Sequence, residues 1–181
     1  MAGWSRGEEH FARIFSDVSE IAAMSYLSDL LRVDQINLDL RAPDKPGVLQ
    51  ELVEMVPELK GDSGQKEIFF KALLDREKLH TTGVGEGIAM PHTRLPVGGF
   101  LKRPLLIFGR SVAGLEFGAL DQKPVHLLFL LASPNLTDHL AMLARLSRVL
   151  RDPKVRKGLS DARMPSEIIS LIDEGESRVT K

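Results

Sequence analysis

Apolar and polar positions alternate in two different rhythms along this chain, and the rhythm changes mark its elements. Phe11, Ile14, Phe15, Val18, Ile21 and Ala22 recur at helical spacing and predict one amphipathic helix within residues 1–24. Ile36 to Leu40 alternates as a half-buried strand does. The turn cluster Ala42-Pro43-Asp44-Lys45-Pro46-Gly47 then leads into a helix with Val48, Leu49, Leu52, Val53 and Val56 on one face, closed by Pro57. A second helix is predicted from Gln65 to Lys78, with Ile68, Phe69, Ala72 and Leu73 as its buried stripe. Beyond it lie a glycine-rich loop, Thr81 to Gly87, and a short apolar strand, Ile88 to Met90, stopped by Pro91. Leu105 to Gly109 and Val125 to Ala132 read as core strands. Asp138 to Leu150 reads as a strong helix, capped by Thr137 or Asp138, with Leu140, Leu143, Ala144, Leu146 and Leu150 inside. Two short helices follow, Pro153–Leu159 and Pro165–Asp173, each with proline at its first turn.

Strands alternating with helices predict an α/β or α+β fold in which one sheet is covered by helices. With 181 residues the chain fits a single domain. The expected division is a helical extension over 1–24, the domain over 25–175 and a frayed tail over 176–181. The extension is an interaction helix or a product of start-site choice, since Met24 opens the regular part of the chain.

Charge and composition narrow the function classes. Twenty-four Lys and Arg against 25 Asp and Glu leave a formal net charge of -1, which gives no electrostatic case for a nucleic-acid or membrane-surface binder. The absence of cysteine removes disulfides, thiolate nucleophiles, Cys-ligated zinc and iron–sulfur clusters. Apolar runs are strand-length, far short of a membrane span, and the N-terminus lacks a signal-peptide core, so a cytoplasmic location is expected.

The chemistry is concentrated in histidines. His92 follows an apolar strand ended by proline, a place at the carboxyl edge of a sheet where α/β folds hold ligands. Before it, Gly83, Gly85 and Gly87 can bring backbone N–H groups close to an anion, and Thr82 can add a hydroxyl donor. The same glycines would equally serve a plain tight turn. Their spacing is not that of a dinucleotide fingerprint or a P-loop, and no H-E-x-x-H or G-x-S-x-G motif is present. His139 falls near a helix start, where dipole and free N–H groups favour an anion, although a solvent-facing His without a role fits as well. Arg76 ends the helix before the glycines and points a guanidinium at the same place or merely complements the helix terminus. His80 reads as a rim residue, His126 as structural and His10 as exposed.

Two stretches then carry a resemblance. Asp75-Arg76-Glu77-Lys78 followed by Thr82-Gly83-Val84-Gly85-Glu86-Gly87-Ile88-Ala89-Met90-Pro91-His92 closely resembles the signature of enzyme IIA domains of the fructose/mannitol class. These belong to the bacterial phosphoenolpyruvate-dependent phosphotransferase system. Phe117 to Val125, and Leu127 to Ala132 followed by His139-Leu140, resemble further parts of the same family, so the likeness covers about residues 25–175. It is greatest to the stand-alone, nitrogen-regulatory branch. The resemblance implies a mixed β-sheet flanked by helices and a histidine that takes phosphate from HPr or an HPr-like carrier. His92 matches that acceptor, His139 the second active-site histidine and Arg76 the active-site arginine. It implies no metal, nucleotide or other cofactor. Its partners would be the donor and an enzyme IIB-like acceptor or a regulated protein, docked on an apolar rim for which Leu79, Leu95 and Phe100 are the candidates. A homodimer is compatible with the pattern. One departure stands out: the family usually has a small residue after the acceptor, and here Thr93 and Arg94 follow. Thr93 is the argument for a second class of function, an enzyme-IIA-like binding module that regulates a transporter or channel by contact alone.

A chain beginning at Met24 is expected to melt within a few degrees of the full chain and to keep its chemistry. Aggregation or lost activity on that truncation would place the N-terminal helix inside the domain or its dimer.

Overall fold

The computed structural model describes residues 26–93 and 99–179. The predicted helix over 1–24, and Leu95 of the expected rim, lie outside them. Five strands form one mixed sheet: β1 (Ile36–Asn37), β2 (Gly83–Gly85), β3 (Ile88–Ala89), β4 (Leu105–Leu115) and β5 (Val125–Ala132), in the order β1-β4-β5-β3-β2. β1 runs parallel to β4 and β3 parallel to β5, while the β2–β3 and β4–β5 pairs are antiparallel. Helices α1 (Lys45–Glu54) and α2 (Ser63–Leu79) cover one face. Helices α3 (Leu136–Val149), α4 (Pro153–Asp161) and α5 (Pro165–Val179) cover the other.

β5 shows why the sheet is sandwiched. Leu128, Leu130 and Ala132 pack into the α1–α2 core, and Leu127, Phe129 and Leu131 into the α3–α5 core. A strand buried on both faces needs an unbroken apolar run, which Leu127 to Ala132 supplies. Close packing reaches the backbone at Gly109 of β4, where a Cβ would fall 2.6 Å from a Leu40 methyl and 2.8 Å from a Leu52 methyl. Each helix on the α1–α2 side starts on an aspartate: Asp44 accepts from the Gly47 N–H at 2.8 Å, and Asp62 from the Gln65 N–H at 2.9 Å.

Several expectations are corrected. Regular pairing in the first strand stops at Asn37 instead of Leu40. The glycine-rich stretch is not a loop; Gly83–Gly85 is strand β2, turned back onto β3 through Gly85, Glu86 and Gly87, all at positive φ (96°, 53° and 75°). Glycine is required at two of those three positions because side chains rarely tolerate that conformation. Ile68, Leu140 and Ala144 face outward, since the stripes of their helices fall one position to the side. The cap of α3 is Asn135, whose side-chain oxygen accepts from the Asp138 N–H at 2.9 Å. The chain end does not fray at 176, because α5 continues to Val179 with Glu176 only 1% exposed.

Glu176 explains that continuation. Its carboxylate accepts from the Leu27 N–H and from the Arg145 guanidinium, both at 2.6 Å, tying the segment at Leu27, α3 and α5 together. Removing one partner of such a pair strands the other charge. Glu176→Ala should therefore cost roughly 3–5 kcal/mol, and each kcal/mol should lower the melting temperature by about 2–4 °C in a chain of this size. A melt within a degree of wild type would show that α5 past Gly175 adds nothing.

Candidate functional site

His92 sits where β3 would end. The Leu131 N–H donates to the Pro91 carbonyl at 2.9 Å, and His92 forms a parallel bridge with Leu131, so the pairing of β3 with β5 runs on past the proline. The half-buried imidazole is held from both sides. Nδ1 lies 2.8 Å from the Met90 carbonyl, which only accepts, so that nitrogen carries the proton. Nε2 is then the lone-pair nitrogen, and it accepts the Arg76 Nε–H at 3.2 Å. Arg76 is aimed by a second bond, from its terminal nitrogen to the His80 carbonyl at 2.8 Å.

His139 completes the group. β5 leads through Ser133-Pro134-Asn135 into α3 at the same sheet end, which brings the fourth residue of that helix to His92. The two imidazole centroids are 5.1 Å apart with ring planes at 55°. His139 is 7% exposed. Of the two sequence readings for this residue, the solvent-facing one is thereby corrected.

The other candidate residues are placed elsewhere. Thr82 is buried with its hydroxyl donating to Glu77 at 2.6 Å, so that hydrogen is committed away from His92. Gly83 pairs with Ala89 inside the hairpin. Gly85 and Gly87 are at the hairpin tip, beside Asp121 and beside His126 and Pro124. His92 lies five residue steps beyond Gly87, a span of about 16 Å when extended. The structure thus brings His92, Arg76 and His139 together and leaves Gly85 and Gly87 at the opposite end of β3. Sequence order alone suggested a cradle because the glycines precede the histidine closely along the chain; the extended strand between them carries them apart. His126 bonds to the Ser111 carbonyl at 3.0 Å and supports the β4 bulge around Gly114.

Two contributors escaped the sequence reading. Carbonyl groups of Met90 and His80 orient the imidazole and the guanidinium, and no side-chain pattern announces a carbonyl. Glu77 and Lys45, paired at 3.0 Å beneath the site, come from helices 32 residues apart. A glutamate in the last turn of α2 was the available signal, because the helix dipole disfavours a negative charge there.

Burial holds the His92 imidazole below its ordinary 6.5; the Arg76 guanidinium acts in the same direction, while the Met90 carbonyl and the Glu77 charge oppose it. Burial also lowers His139, with His92 and Arg76 adding to it. Both rings are thereby neutral at pH 7. Thr93, next to His92, is buried at 4% exposure.

A mixed sheet lies between two helical layers, and at its carboxyl edge one imidazole is clasped by an arginine and lies beside a second imidazole. The family profile for the "Phosphoenolpyruvate-dependent sugar phosphotransferase system, EIIA 2" matches residues 29–175, and the chain belongs to that family. A nitrogen regulatory protein of Bradyrhizobium diazoefficiens is 38% identical over 148 residues, 81% of this chain and 94% of its own length. The PTS fructose-specific EIIABC component of Bacillus subtilis is 33% identical over 150 residues, 82% of this chain, which spans 23% of that protein. The crystal structure of nitrogen regulatory protein IIA-Ntr from Neisseria meningitidis superposes with a TM-score of 0.72 at 28% identity, covering 81% of this chain and 98% of that one. Enzyme IIA of the mannitol system of Escherichia coli, solved in complex with phosphorylated enzyme IIB, gives a TM-score of 0.68 at 26% identity over 80% of this chain and 97% of its own. Among the described residues, no helix is long and apolar enough to cross a membrane.

Because both imidazoles bind protons less readily in the folded chain than in the unfolded one, the unfolded chain takes up more protons between the lowered folded midpoints and about 6.5. Their contribution to stability is complete above that pH and is lost as the pH falls toward the folded midpoints. The melting temperature should fall on acidification below pH 6.5, and less steeply in His139→Gln. An equally steep fall in a His92→Gln/His139→Gln double variant would assign the effect to carboxylates instead.

Proposed function

We propose that His92 Nε2 accepts a phosphoryl group from an HPr-like phosphohistidine carrier, and that the phosphorylated domain passes it to an enzyme IIB-like acceptor or uses it to control a regulated protein. The observation that carries this reading is the Met90–His92–Arg76 clasp. It presents a neutral Nε2 lone pair and keeps the ring proton on Nδ1, away from the reacting face. In the transfer, the Nε2 lone pair forms the new N–P bond while the donor's N–P bond breaks, and the donor imidazole keeps that electron pair. Such a transfer needs alignment and stabilisation of the equatorial oxygens more than covalent chemistry. Arg76, already at bonding distance from Nε2, can turn its N–H groups onto those oxygens. His139 is placed to donate a ring N–H to the same group and to hold His92 from behind.

A carrier protein has to dock for this to happen. Leu79 (55% exposed), Leu136 (56%) and Leu140 (56%) are uncovered on the helix ends that carry Arg76 and His139, while Phe100 is half-buried against Phe69. A small apolar rim of this kind suits a contact at the low end of interface sizes, one that forms and parts repeatedly. The buried Thr93 leaves that approach open, which favours phosphotransfer over regulation by contact alone.

The test is incubation with phosphoenolpyruvate, enzyme I and HPr, followed by intact mass. One acid-labile phosphate is expected, absent from His92→Ala; label surviving in that variant would remove His92 from the role. Arg76→Ala should still label but roughly 10²–10³ slower, as for loss of one oxyanion donor. His139→Ala should still label, but more slowly than wild type by the equivalent of about 1–3 kcal/mol for a lost hydrogen bond.

A further inference from the structure

The last turn of α2 carries an acidic residue against the preference of the helix dipole, and that residue is buried. Glu77 is 8% exposed, and its carboxylate serves three donors. It accepts the Thr82 N–H on both oxygens, at 3.2 and 3.0 Å, the Thr82 hydroxyl at 2.6 Å and Lys45 Nζ at 3.0 Å. Lys45, at the start of α1, also lies 4.5 Å from the Phe117 ring centroid. From Thr82 the chain of bonds leads to the nucleophile. The Thr82 carbonyl accepts the Met90 N–H at 3.0 Å, and the Met90 carbonyl accepts the His92 Nδ1–H at 2.8 Å. On the other side of the ring, Arg76, the neighbour of Glu77 on α2, donates to Nε2. The two groups that clasp the imidazole thus belong to two elements, a helix end and a strand pair, and the carboxylate of Glu77 joins them directly.

We infer that Glu77 is a positioning residue: held by Lys45, it fixes the helix end that carries Arg76 against the strand pair that carries His92, and so sets the contact between guanidinium and imidazole. This rests on His92 being the nucleophile. The carboxylate touches neither the ring nor anything bound to it; it acts through Arg76 and through the Thr82–Met90 backbone. Its three donors come from two directions, so no single-acceptor side chain reproduces the arrangement. Burial of a charge pair is by itself weak evidence for stability, which makes geometric control the better account of why a carboxylate is retained there.

A double-mutant cycle separates positioning from plain stability. The full chain is labelled with potassium phosphoramidate, a small donor that needs no docking, in wild type, Glu77→Ala, Arg76→Ala and the double variant. The Arg76 Nε–H and His92 ring nitrogens are followed in parallel by ¹⁵N NMR on unphosphorylated protein. Expected are loss of the hydrogen-bonded Arg76 Nε–H signal in Glu77→Ala, labelling about tenfold slower, and no further slowing in the double variant beyond Arg76→Ala, because coupled residues are not additive. An unchanged Arg76 signal in folded Glu77→Ala, or effects that multiply in the double variant, would overturn the proposal. Failure of wild type to label at His92, with the NMR change present, would instead remove the reading of His92 as nucleophile and leave the positioning role standing. Should Glu77→Ala not fold, Glu77→Gln decides by the same criteria, since its amide keeps one acceptor for Thr82 and turns a donor toward Lys45.

Discussion

Leu131 donates its N–H to the carbonyl of Pro91, and this backbone bond carries the pairing of β3 with β5 past a residue that cannot donate to a ladder. The arrangement around His92 depends on it. Without the continued pairing, the segment after Ala89 would leave the sheet at the proline, and the imidazole would have no fixed place relative to α2 or α3. With it, His92 stands at the carboxyl end of a strand buried beside β5, and β5 itself turns into α3 at the same level. One strand pairing therefore delivers both imidazoles to one edge. The arginine arrives separately, on the last turn of α2 from the opposite layer.

Charge and burial around the two rings both favour their neutral forms. Burial and the guanidinium both disfavour the imidazolium, which preserves the Nε2 lone pair. Beneath them the Lys45–Glu77 pair keeps its own charges matched at 3.0 Å and out of the reacting face. Arg76 is the cation that bonds His92 Nε2, at 3.2 Å. The family assignment and this geometry agree, although they come from different sources: the profile match rests on the pattern of residues 29–175, and the clasp on hydrogen bonds that no pattern records.

Away from the site, rigidity comes from polar ties across layers. Arg110 on β4 donates to the carbonyls of Leu38, Ser160 and Ala162, linking the sheet to the end of α4. Glu176 does the same for the segment at Leu27, α3 and α5. These ties brace the layer that carries His139, so a first-turn imidazole on α3 is held by contacts as far off as α5.

Much of this was legible from the residues in order. The apolar run of β5 read as a core strand, the helical stripes of α1 and α2 required a covered sheet, and His92, Arg76 and His139 were singled out as residues that the fold does bring together. Those are local properties: periodicity, backbone constraint and residue type act over a few neighbours and need no knowledge of distant contacts. What the sequence left undecided was direction. Glycines five to nine residues before His92 looked like its cradle, yet an extended strand rises about 3.3 Å per residue, and the hairpin tip ends up remote from it. His139 stood between a site residue and a solvent-facing one until α3 packed it against His92, and the frayed tail became helix once Glu176 found Arg145, 31 residues earlier. Glu77 drew no reading of its own until the fold brought Lys45 of α1 to meet it. In each of these the deciding partner is distant along the chain, and only the packed fold sets which buried charges and donors face one another.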